Sequence, residues 1–158
     1  MKAVNLISLH ELGYVDLRIR ADALLLENPL RHRYYMRLGS DISRESFDQF
    51  VIGFHEKIGS DPSKGIDLVD DTRNVRLFCN DLFGKWSGFF KQLMSENVRL
   101  LVRISSEEDE LNFGFLEFYH QAEMQQYEER IMVCSSMSEA EKYLDSQQKM
   151  PYSTAVHF

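Results

Sequence analysis

A short apolar run ending in paired aspartates, Ile66-Asp67-Leu68-Val69-Asp70-Asp71, lies between two aromatic helix patterns. It follows turn-forming residues, Gly59-Ser60-Asp61-Pro62-Ser63, which end whatever precedes them. Upstream, Phe47, Phe50, Val51, Phe54 and Ile58 recur at the spacing of one helical face. Downstream, Leu82, Phe83, Trp86, Phe89, Phe90, Leu93 and Met94 form a broader apolar face. A strand between two helices with aromatic inner faces needs cover from both, so 65–70 reads as a central strand of an α/β sheet.

The rest of the chain extends that alternation. Residues 98–104, Val-Arg-Leu-Leu-Val-Arg-Ile, are nearly continuous apolar and β-branched, which fits a strand covered on both faces. A third helix is expected from 107, after Ser105 and Ser106, with acids in its first turn. Residues 131–133 form a last strand. Ser138 and Glu141 have capping-box spacing for a short helix over 139–144. Residues 147–158, with Pro151, read as a polar tail.

Before residue 43, two segments alternate with period two. In 13–20, Val15, Leu17 and Ile19 are expected to face inward. In 30–38, Leu30, His32, Tyr34, Met36 and Leu38 share one face. Arg31, Arg33, Tyr35 and Arg37 share the other, read as the solvent face of an edge or near-edge strand or as a small anion or partner patch. Residues 23–26 are a turn of helix or a strand fragment, broken by Asn28-Pro29. The fold class expected is α/β, with a mostly parallel sheet of four to five strands and alternating helices. It forms one domain over 1–146, with 1–30 as an N-terminal strand extension.

Composition narrows the function. Hydrophobic residues make up 44% of 158, enough for a core, so a disordered chain is excluded. The formal net charge is −7, and 107–129 alone holds eight acids without a Lys or Arg. Such a chain has no general electrostatic attraction to nucleic acid. That acidic helix is a solvated face or a docking face. No stretch reaches the roughly 18 apolar residues of a membrane span, and a cytoplasmic protein is expected. Cys79 and Cys134 lie at no metal-ligand spacing and read as free thiols.

Catalytic motifs are absent. There is no Gly-rich phosphate loop and no Gly-x-Ser-x-Gly elbow, and the five histidines are scattered. A receiver-type acidic pocket would need a further strand-end Asp and a later Lys; the later strands end in Ile104-Ser105 and Cys134-Ser135. Asp70, Asp71 and Asp81, with Arg73 nearby, would suit a metal or acid/base site. They equally suit strand-end and helix-cap hydrogen bonding.

The pattern over 34–144 resembles the STAS superfamily, and within it the SpoIIAA-like proteins. Three features carry the likeness: a strand followed by a capped helix over 43–58; the strand Ile66-Asp67-Leu68-Val69-Asp70 leading through a loop to a helix; and a closing strand followed by Ser136-Met137-Ser138-Glu139-Ala140-Glu141-Lys142-Tyr143-Leu144. The resemblance implies a non-enzymatic, cytoplasmic, bacterial regulatory module that takes no cofactor and docks on a protein partner. It places the partner face on Asp70, Asp71, Thr72, Arg73, Asn80 and Asp81. In the family a Ser or Thr at that helix start is switched by phosphorylation. Here the start reads Cys79-Asn80-Asp81, and Thr72 is the loop's one hydroxyl. SpoIIAA-like proteins have also been likened to lipid-binding folds. That keeps an apolar-ligand carrier as the alternative, with Phe47, Phe54, Phe83, Trp86, Phe90 and Phe115 lining a pocket. A homodimer through 14–20 or 31–38 is a further expectation.

Overall fold

The computed structural model describes residues 6–17, 23–39, 42–58, 65–73, 80–105 and 122–156. Helix α1 (Leu6–Glu11) leads to strand β1 (Val15–Asp16), then β2 (Ala23–Asn28) and β3 (Arg33–Leu38). Helix α2 (Arg44–Ile58), β4 (Ile66–Asp71), α3 (Asn80–Glu96) and β5 (Val98–Ile104) follow. After them come α4 (Ala122–Gln125), a 3₁₀ turn (Glu128–Arg130), β6 (Ile131–Cys134) and α5 (Met137–Val156).

The strands form one six-stranded sheet in chain order, β1 to β6. The pairs β1–β2 and β2–β3 are antiparallel; β3–β4, β4–β5 and β5–β6 are parallel. Each parallel step moves the same way across the sheet. The right-handed crossover rule then sends the intervening helices to one face. Accordingly α2 and α3 cover that face, where Phe47, Phe50, Phe54, Trp86, Phe90 and Leu93 meet Met36, Leu68 and Leu101. On the other face, Leu9 of α1 and Met137, Ala140 and Leu144 of α5 pack on Leu26, Tyr35, Val69 and Val102.

Local chemistry fixes these elements. Ser43 caps α2, its Oγ accepting from the Ser46 N–H at 3.1 Å. Arg130 donates to the carbonyls of Met94 (2.7 Å) and Val98 (2.9 Å), placing a cation at the C-terminal end of α3. Gly13 has φ +101° and lies close against Asn28, whose Nδ2 donates to the Leu12 carbonyl. A side chain there would be strained and crowded.

Several expectations are corrected. The sheet has six strands, not four to five, because 23–28 is a full strand. The segment 31–38 is no edge. β3 is third of six, and its expected solvent face is interior, with Arg33 and Tyr35 both 0% exposed. In β1 Val15 is 48% exposed, while Tyr14 is buried. A helix stands at 6–11, ahead of the strand extension. The last helix continues to Val156, through the stretch expected as a tail. Ile19, Cys79 and the acidic segment 107–121 lie outside the described residues; Cys134 is a buried free thiol.

Candidate functional site

The expected site lies where β4 and β5 end, and the strand splits it between two layers. Successive residues of a strand point to opposite faces, so Asp70 faces α2 and α3 while Asp71 faces the α5 side. Both are fully buried.

Asp71 is held on all sides. Its Oδ2 accepts from the Tyr35 hydroxyl at 2.6 Å and from Arg73 Nη2 at 2.9 Å. Its Oδ1 accepts from the Arg73 main-chain N–H at 3.2 Å and from Nε at 2.9 Å. Burial, then the Asp71 charge and hydrogen bond, push the Tyr35 hydroxyl well up. The hydrogen bond to Asp71 raises Arg73 in turn. Thr72 completes the strand end: its N–H donates to the Ile104 carbonyl at 3.0 Å and its Oγ1 to the same oxygen at 3.2 Å.

Asp70 contrasts with this. It stands opposite Arg103 in the β4–β5 register. Arg103 turns its Nε to Thr72 Oγ1 at 3.1 Å. Among the described residues neither Asp70 carboxylate oxygen has a hydrogen-bond partner. Burial pushes its pKa up to about 7, against the pull of the Arg103 charge, and Asp71 adds to the rise.

Of the residues expected to meet a partner, most of those described are therefore internal. Asp70, Asp71 and Thr72 are buried, and Arg73 is half-buried and locked to Asp71. Asn80 and Asp81 open α3, and their side chains lie outside what the structure describes. The acidic pair does not form a shared metal or acid/base pocket, because the sheet separates its two carboxylates. Among the described residues no three His, Cys, Asp or Glu side chains converge.

Of the residues expected to line an apolar pocket, Phe47, Phe54, Trp86 and Phe90 are packed into the core at 0–1% exposure. A groove of about 510 Å³ lies between α2 and α3, and of these four only Phe47 lines it. Trp86 and Phe90 rings lie 4.7 Å apart, and Phe89 contacts Phe47 and Phe54 edge-on at 6.0 and 5.3 Å. Phe83 belongs to α3, with its side chain outside the described set; Phe115 lies outside it altogether.

Sequence reasoning missed a second polar cluster, at the opposite end of the parallel strands. Arg33 Nη1 donates to Glu141 Oε2 and its Nη2 to Asp145 Oδ1. Tyr14 donates to Glu141 Oε1 at 2.7 Å, and Arg31 also reaches Asp145. Burial acts to raise Asp145, but the Arg33 hydrogen bond and the charges of Arg33 and Arg31 hold it below the usual carboxylate value. Beside them Arg99 grips Asp67 bidentately at 3.0 and 2.9 Å. Burial raises Asp67, and Arg99 opposes that rise. The available signal was the i, i+4 pair Glu141 and Asp145, which flanks the inner positions Ala140 and Leu144.

Comparison with family models, with curated proteins and with solved structures finds no match. No helix among the described residues is long and apolar enough to cross a membrane.

Proposed function

We propose that this chain is a non-enzymatic protein-interaction module of SpoIIAA-like type. Its docking element is the chain that leaves β4 at Arg73 and returns at α3. The observation that supports the reading is the Asp71 clamp. One buried carboxylate takes the Arg73 main-chain N–H, two nitrogens of its guanidinium and the Tyr35 hydroxyl. Such a root holds Arg73 in place at the end of β4, and preorganisation of a contact residue lowers the entropy cost of docking. Asp70, Asp71 and Thr72 then act as the support of the binding element, and residues 74–79 act as its contact surface.

A photo-crosslinking residue at Arg76, in cells that make the protein, tests this. The expected result is a discrete protein adduct that is missing when the same residue replaces Gln92 on the outer face of α3. The absence of an adduct at 76, or equal adducts at both positions, refutes the docking element.

A further inference from the structure

The two edges of the sheet differ. β1 has two residues, one of them Asp16. β6 has four, Ile131-Met132-Val133-Cys134, and no charge. Natural edges are usually kept short or charged to prevent pairing; β1 follows that rule and β6 does not.

The main chain of β6 shows which groups face outward. The Cys134 carbonyl accepts from Ser105 N–H at 3.0 Å, so it points toward the β5 side. The N–H and C=O of one strand residue share a side, and the side alternates along the strand. Met132 therefore also faces β5, and Ile131 and Val133 direct their polar groups away from the sheet. Among the described residues no strand pairs with that row. Val133 is itself 40% exposed.

We propose that β6 pairs antiparallel with β6 of a second copy of this chain, extending one sheet across a two-fold dimer. A sheet that keeps its helix layers aligned must oppose residues that share a face. The register centred on Val133 does so and sets Val133 against itself. Two N–H···O=C bonds are then exchanged at the axis, and no charge is buried in the strand pair. This surface is separate from the chain leaving β4 and stands without the docking proposal.

Sedimentation velocity of the full chain over a range of concentrations tests the dimer. Wild type should reach twice the 18.6 kDa chain mass. Val133→Lys places a charge on the edge, and Val133→Pro deletes the outward N–H while leaving the bonds to β5; both should sediment as monomers. Val15→Lys, on the other edge, should remain dimeric. Amide exchange of wild type gives a readout free of variant folding: the Val133 N–H should gain protection with concentration, while the Met132 N–H should not change. A wild-type monomer at every concentration overturns the proposal. So does a dimer that survives both Val133 variants, dissociates equally with Val15→Lys, or leaves Val133 exchange unchanged.

Discussion

Asp70 and Asp71 are neighbours in sequence with opposite surroundings. Asp71, on the α5 side, accepts from Tyr35 and three times from Arg73. Asp70, on the α2 and α3 side, has Arg103 across the strand but no hydrogen bond among the described residues. Both are fully buried, so burial alone does not set the state of a carboxyl. The donors present in its layer do. The α5 layer supplies a phenol and a guanidinium, whereas the aromatic layer supplies the Arg103 charge, with its Nε donating to Thr72. One aspartate therefore braces the fold through four hydrogen bonds, and the other has its pKa raised to about 7.

The hardest blow to this contrast is Asp71→Ala. It leaves the half-buried Arg73 and the buried Tyr35 hydroxyl without their acceptor. Breaking a buried pair of this kind costs about 3–5 kcal/mol. Chemical denaturation should show that loss, and a cost under about 1 kcal/mol would mean that the clamp contributes little.

Asp70→Asn should act with the opposite sign. The folded protein raises this carboxyl from 3.8 to about 7, so folding favours the protonated form. Its contribution to stability is fully present below the unfolded value and is lost as pH rises through about 7. The amide keeps the shape and cannot ionise. At pH 8 the variant should be more stable than wild type by about 4 kcal/mol, and near pH 4 the two should converge. Denaturation at a series of pH values, read as the difference between the two proteins, isolates this group from other titrations. A difference independent of pH would place Asp70 among ordinary carboxylates.

The architecture was legible because it is local. Aromatic stripes at helical spacing gave α2 and α3, and the apolar runs gave β4 and β5. Period two also separates Asp70 from Asp71, although two adjacent acids read more readily as a cluster. The role of Arg33 was not legible. An arginine alternating with apolar residues looks like a solvent face, and what buries it comes from Glu141 and Asp145, over a hundred residues away. No local pattern carries that information. The interior position of β3 was missed for the same reason: β2 on its outer side begins as the ambiguous run Ala23-Leu24-Leu25-Leu26.

A smaller probe of the anionic side is Tyr35→Phe. It removes one of the four hydrogen bonds at Asp71 and leaves Arg73 in place. A hydrogen bond to a charged group contributes about 1.5–3 kcal/mol, and the remaining donors put the expected cost at the lower end. Thermal or denaturant unfolding measures it. A loss as large as that of Asp71→Ala would show that the hydroxyl, not the guanidinium, holds the carboxylate.

The mildest change, Thr72→Val, tests why the two aspartates differ. Its stability cost should be about 1 kcal/mol, since one hydroxyl that accepts from Arg103 and donates to Ile104 is lost from a buried site. Its effect on titration is more telling. Without Thr72 Oγ1, the Arg103 Nε needs another acceptor, and the residue opposite Arg103 across the strand is Asp70. A hydrogen bond to the carboxylate favours its ionised form. The pH at which stability falls should therefore move down from the region of 7 expected for wild type. Thr72→Val in the Asp70→Asn background should show no such shift. A midpoint unchanged by Thr72→Val would mean that the orientation of Arg103 has no part in raising the Asp70 pKa.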